Sequence, residues 1–206
     1  MDRENRLYYS ALVLLEWAIS GLDFLMDAIS SDDLHNRYQQ GYARFNQLAG
    51  WLTDEIFSAG DRDDIDEEHA SAIHSKIEDL EPIILSWANT VQATAYSEAM
   101  KRNPAHYETI TYCYGCMLVL GILNEFDQTL AGLSSQILHK RYQRGRSRIS
   151  ELAEWLKDEV SWFDRQESSI EKIEVVCAVG EGLVERLEAD WRDSVHAFAR
   201  QINADQ

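Results

Sequence analysis

LHNRYQQGYAR, running from Leu34 to Arg44, returns as LHKRYQRGRSR from Leu138 to Arg148. Just downstream, LAGWLTDE (Leu48 to Glu55) returns as LAEWLKDE (Leu152 to Glu159). Both matches share an offset of 104 with no gap. The same offset pairs Glu4 with Glu108, Tyr8 with Tyr112, Asp23 with Asp127, and Ser30-Ser31 with Ser134-Ser135. It still holds late in the chain, at Glu67 and Glu171, Trp87 and Trp191, and Val91 and Val195. About 25 of roughly 97 gapless positions are identical. Unrelated sequences give far fewer, so the chain reads as two tandem copies, residues 1–103 and 104–206.

Within each copy the apolar residues step by three and four. Leu7, Ala11, Leu14, Ala18, Leu22, Leu25 and Ile29 form one series; Leu34, Tyr38, Gly41, Phe45, Leu48, Leu52 and Ile56 form a second. Ile73, Ile77, Leu80, Ile84, Trp87 and Val91 form a third, and the second copy repeats the middle series from Leu138 to Leu156. That spacing places each series on one helical stripe which must be covered by other helices. The fold class expected is all-α: two three-helix repeats packed as a six-helix bundle with pseudo-twofold symmetry, in one compact domain.

The punctuation fits. Ser30 or Ser31 can cap the second helix, and Ser134 or Ser135 the fifth. Asp64 with Glu67 precedes the third helix, and Ser168 with Glu171 has capping-box spacing before the sixth. Asn103 followed by Pro104 reads as an N-cap with proline at the first helical position. Pro82 should kink or divide the third helix, while its counterpart Arg186 leaves the sixth uninterrupted. Gly41 and Gly145 lie on the core stripe, where glycine costs a helix up to ~1 kcal/mol. A close crossing of helices two and five about the pseudo-twofold axis would account for them.

Among 206 residues the formal charge is −17. The first copy holds 8 basic against 19 acidic residues, the second 11 against 17, so the first is the more acidic. Such a surface repels phosphate backbones and anionic lipid, which argues against nucleic-acid and membrane partners and suits a basic protein. The apolar run from Thr109 to Leu123 is short for a bilayer span and reads as a core helix. The N-terminus lacks the pattern of a signal peptide. Three cysteines give no disulfide framework, and a reducing cytoplasm is the simplest compartment.

The repeated H-x-R-Y-Q block is the main polar candidate. Arg37, Arg44 and Trp51 are seven apart and share a stripe beside the seam, with His35 flanking it; His139, Arg141, Arg148 and Trp155 repeat the set. One reading is a paired anion or partner site, since guanidinium forks grip carboxylate or phosphate and stack on indole. The competing reading pairs these arginines with acids such as Asp54, Glu55, Asp158 and Glu159 and uses the tryptophans as core edge. The run Asp61, Asp63, Asp64, Asp66, Glu67 and Glu68 is a second candidate, as an acidic patch for a basic partner. It lacks the glycine and ligand spacing of a calcium loop.

Other motifs fail the test of repetition. Cys113-Tyr-Gly-Cys116 has the CxxC form, but its counterparts are Tyr9 and Leu12, and no second CxxC exists for zinc. Asp32-x-x-His35 and Asp193-x-x-His196 lose their pattern in the other copy, at Gln136 and Gln92. Arg62 and His69 have an R-x6-H spacing that resembles the catalytic motif of the helical HEPN ribonucleases in two residues; their counterparts are Gln166 and Ile173, and no family is assigned on it. No phosphate-binding glycine loop, nucleophile elbow or dinucleotide fingerprint is present. No metal and no cofactor are expected.

The function expected is therefore non-enzymatic: an acidic protein-binding protein, of the inhibitor, immunity-protein or antitoxin kind, that blocks a basic enzyme as a monomer or small homo-oligomer. Two alternatives stand beside it. One is a helical metal-dependent enzyme acting on a nucleotide or phosphorylated small molecule, with Asp54, Glu55, Asp158 and Glu159 holding the ion. The other is an oligomeric helical scaffold.

Overall fold

A computed structural model describes residues 2–57, 73, 76–165 and 173–204. The fold is all-helical, with six α-helices packed together and no strand among the described residues. They are α1 (Arg3–Asp27), α2 (Asp32–Phe57), α3 (Glu81–Lys101), α4 (Tyr107–Ala131), α5 (Gln136–Asp164) and α6 (Ile173–Ala204). Short 3₁₀ turns, Ile77–Leu80 and Pro104–His106, lead into α3 and α4.

The middle-series stripes are buried as their spacing requires. Leu34, Tyr38, Gly41, Phe45, Leu48, Leu52 and Ile56 face inward along α2, and Leu138, Tyr142, Gly145, Ile149, Leu152 and Leu156 along α5. On α1 a single stripe is too narrow a description. Every residue from Tyr8 to Leu15 is buried, because α1 packs against α2, α3, α4 and α6 at once. Helix α4 is placed the same way, against α1, α3, α5 and α6. A helix with neighbours on all sides has no solvent face to leave polar, so its sequence loses its period.

By length and composition alone, α1 and the run Pro104–Ala131 could each cross a membrane. The apolar stretch read as Thr109 to Leu123 thus belongs to a longer element than its sequence suggested. In this fold 72% and 78% of the two most apolar windows are covered by the other helices.

The proline positions act as stops. Pro82 sits in the first turn of α3, and the chain before it is the 3₁₀ turn, so the apolar series from Ile73 to Val91 is divided there. Asn103 does cap, accepting from the Ala105 amide at 3.0 Å, but it caps the 3₁₀ turn and not α4 itself. Ser31 Oγ and Ser135 Oγ each accept an amide of the helix they precede, from Leu34 and Leu138, at 3.4 Å. The capping pairs Asp64 with Glu67 and Ser168 with Glu171 lie outside the described residues.

Each of these two helix starts also receives a carboxylate from afar. Glu108 on α4 accepts from the Ser30 amide (3.1 Å), the Ser30 hydroxyl (2.6 Å) and the Ser31 amide (3.0 Å). Glu4 on α1 accepts from the Ser134 amide (2.9 Å), the Ser134 hydroxyl and the Ser135 amide (2.9 Å). A carboxylate there satisfies amides that the helix leaves open and meets the positive end of its dipole.

Candidate functional site

The H-x-R-Y-Q blocks meet along the seam between α2 and α5, which run antiparallel. Contacts fix the register: Arg37 faces Glu159, Gly41 faces Trp155, Trp51 faces Gly145, and Glu55 faces Arg141. Both glycines are needed for a specific reason. A Cβ on Gly41 would fall 2.5 Å from the Trp155 ring, and one on Gly145 would collide in the same way with Trp51. The missing side chain is thus replaced by an indole from the opposite helix. Trp51 and Trp155 are each 8% exposed, which makes them part of the core.

Two of the arginines are held in ion pairs across this seam. Arg37 grips Glu159 with both nitrogens of its fork, Nε to Oε2 at 2.9 Å and Nη2 to Oε1 at 3.0 Å. Its guanidinium also lies 3.8 Å from the centroid of the Trp162 ring. Tyr112 donates to the same carboxylate at 2.9 Å. Arg141 donates through Nε to Glu55 and through Nη2 to the Tyr9 hydroxyl, while Tyr8 donates to Glu55 at 3.1 Å. The Arg141 and Glu55 side chains are 6% and 5% exposed; Arg37 is more open, at 22%. Buried charges persist only when their remaining donors and acceptors are also met, and the tyrosines meet them here. Burial first, and then the neighbouring carboxylate, pushes the Tyr8 phenol far above its usual range, so it stays protonated and donates.

The other block residues are placed apart from these pairs. Arg44 and Arg148 are half-buried and each bonds a carbonyl one turn back, Gln40 at 3.1 Å and Arg144 at 2.7 Å; among the described residues neither has a carboxylate partner. His35 Nε2 lies 2.8 Å from the Ile29 carbonyl and ties the end of α1 to the start of α2. His139 is exposed, with Nε2 3.3 Å from Gln143 Nε2. The two ion pairs stand at opposite ends of the seam. Arg37 and Glu55 are separated by ~27 Å along an axis rising about 1.5 Å per residue, so the repeated arginines do not converge on one pocket. The acidic run from Asp61 to Glu68 lies outside the described residues, as do Arg62 and His69.

Spacing on single helices named the acids but not their pairing, and it missed the tyrosines. A signal for Tyr8 was present in the offset: Glu4, Tyr8, Ser30, Ser31, Arg37, Gly41, Trp51 and Glu55 each recur 104 positions on, and each meets residues 104–206, Tyr8 through the Arg141 guanidinium 5.2 Å from its ring centroid.

Cys113 and Cys116 are buried, free thiols whose pKa values burial raises well above normal. Cys177 is half-buried, bonds Asp164 at 3.0 Å, and is pushed up to about 12 by burial and by that carboxylate. None is poised as a thiolate nucleophile. Among the described residues, no three His, Cys, Asp or Glu side chains gather in a way that could hold a metal ion. Comparison of the chain with protein-family models, curated proteins and solved structures found no match.

Proposed function

We propose that the chain is a non-enzymatic protein-binding protein, an acidic inhibitor of the immunity-protein or antitoxin kind that blocks a basic partner enzyme. The observation that carries this reading is the charge of −17 on a helical bundle whose most distinctive cations, Arg37 and Arg141, are consumed by internal partners. What remains for the surface is an excess of carboxylates. Acidic surfaces of this kind accelerate encounter with cationic proteins and slow it with nucleic acid. The reading places the chain in a reducing cytoplasm, in keeping with its free thiols, and asks for no cofactor. The metal-dependent alternative draws less support, because Glu55 and Glu159 are already bound to guanidinium and phenol groups.

The two halves, residues 1–103 and 104–206, are read as copies of one three-helix unit related by a pseudo-twofold axis through the middle of the α2–α5 seam. Reciprocal contacts support this. Three contacts between the halves have their mates at the offset of 104, Arg37–Glu159 with Arg141–Glu55, Gly41–Trp155 with Gly145–Trp51, and Glu4–Ser134 with Glu108–Ser30, and so does one contact inside each half, Tyr8–Glu55 with Tyr112–Glu159.

The test is capture of the partner from the native host, followed by association kinetics at increasing ionic strength. A basic enzyme that loses activity on binding, and whose association slows steeply with salt, is the expected result. Salt-independent association, or no stable protein partner, would remove the proposal. Solution mass separates a monomeric inhibitor from an oligomeric scaffold.

A further inference from the structure

Beside α6 the two halves differ in a way that shared packing does not explain. A groove of about 290 Å³ opens between α4 and α6 at the edge of α5, with Leu120 of α4, Val160 of α5 and Val184 of α6 among its apolar walls. Glu181, Glu185 and Glu188 line its other side. At the base is Gly121, where an added Cβ would fall 2.7 Å from Val184 and collide with the Glu188 carboxylate. The Glu188 side chain therefore lies directly against the α4 backbone.

At the offset of 104, the positions of Gly121, Glu181 and Glu188 are filled in the first half by Trp17, Ile77 and Ile84. There Ile84 is buried, and Trp17 and Ile77 pack against the core. The matching place in the first half holds a smaller groove of about 160 Å³ lined by Trp17, Phe24 and Ile84, with Glu81, the counterpart of Glu185, as its one carboxylate; the groove of the second half is wider and carries three. This comparison uses the duplication proposed above.

Glu188 is half-buried and has no hydrogen bond or ion pair among the described residues. Burial, then the charges of Glu125 and Glu185, holds its carboxyl above the usual carboxylate range. Arg192, the nearby cation, offsets this only in part, because its guanidinium is bound to Glu125, with contacts of 2.7 and 2.9 Å. A half-buried carboxylate between two others, with no donor of its own, is a standing cost that a cation entering the groove would remove.

We propose that the α4–α6 groove receives a basic side chain, a lysine or arginine presented by the partner protein, with its methylene stem on Leu120, Val160 and Val184 and its charged head among Glu181, Glu185 and Glu188. Charge complementarity selects this occupant, and the apolar walls suit the long stem of such a side chain. The assignment rests on the acidic-binder reading and names where that partner docks.

A hexa-arginine peptide titrated into the full chain, with methyl resonances of Leu120, Val160 and Val184 observed by NMR, tests it. At physiological salt those methyls are expected to shift first. The double variant E185Q/E188Q, whose two changes are isosteric, should weaken peptide binding at least fivefold without lowering the thermal midpoint, which relief of the charge crowding should if anything raise. Removing two exposed first-half charges away from any groove, in D27N/D33N, should change it less than twofold. Gly121→Trp, which sets the residue of the matching first-half position into the groove, gives a second route to the same loss. Binding that is salt-sensitive but equal in the parent and E185Q/E188Q would overturn the groove and leave the acidic-binder reading standing. No basic peptide or protein bound at any site would overturn both.

Discussion

Arg141 and Glu55 hold each other across the α2–α5 seam with both side chains about nineteen-twentieths buried. The pair ties residues 86 positions apart in the sequence and has Tyr8 and Tyr9 as further partners. Breaking such a pair leaves a buried charge with nothing opposite it. Arg141→Met is expected to cost about 3–5 kcal/mol in urea unfolding. The double variant R141M/E55M, which removes both charges, should recover much of that loss. Arg37→Met should cost less than Arg141→Met, since Arg37 is 22% exposed and water can reach the orphaned Glu159. Equal losses at the two arginines would show that the seam is not as unequal as its burial.

The carboxylates at the helix starts give stability a pH dependence of known sign. Hydrogen bonds from the Ser134 hydroxyl, then the Ser134 amide, hold Glu4 below the usual carboxylate value; those from the Ser30 hydroxyl and then the Ser30 and Ser31 amides do the same for Glu108. A group depressed in the folded state contributes above its unfolded pKa, and the contribution is lost as pH falls through the folded value. E4Q and E108Q should therefore melt below the parent at pH 7. That difference should shrink as the pH is taken from 5 down through the depressed values. Thermal midpoints across this range check it, and a difference that persists in acid would assign the effect to packing.

The middle series was legible in the sequence because its helices have one wet face. Leu34, Tyr38, Phe45 and Leu48 keep a 3.6-residue period that solvent on the other side enforces. From Tyr8 to Leu15 no period survives, since burial surrounds α1. The arginines show a different limit. Spacing named Glu55 and Glu159 as partners, but it could not tell that Arg37 reaches Glu159 of the other half while Glu55 takes Arg141. An antiparallel seam exchanges partners between halves, and no distance along the chain records that. Gly41 was read as a close helix crossing; the structure fills its space with the Trp155 indole.

The thiols should be slow. In the folded chain Cys113 and Cys116 are covered, and Cys177 at about 12 carries almost no thiolate at neutral pH. Reaction with an aromatic disulfide reagent at pH 7.5 is expected to label Cys177 slowly and the other two only after unfolding. Rapid labelling of Cys113 or Cys116 in the native chain would mean that α4 opens more readily than its burial implies.

Two glycines on α2 should respond to alanine with opposite sign. Gly50 is exposed, and a Cβ there meets nothing within 4 Å, so Gly50→Ala gains only the helix preference of alanine, up to about 1 kcal/mol. At Gly41 the same gain is available, but the new methyl group lands on the buried Trp155 ring. Forcing a methyl into a packed contact costs roughly 1–3 kcal/mol, which equals or exceeds the gain. Gly41→Ala should therefore destabilise the fold in urea while Gly50→Ala stabilises it. Combining Gly41→Ala with Trp155→Leu separates the two contributions at Gly41. The leucine removes the ring, so in that background the alanine should lose its penalty and approach the gain seen at Gly50. A Gly41→Ala penalty that is unchanged when Trp155 is gone would place the clash on the α5 backbone and not on the indole.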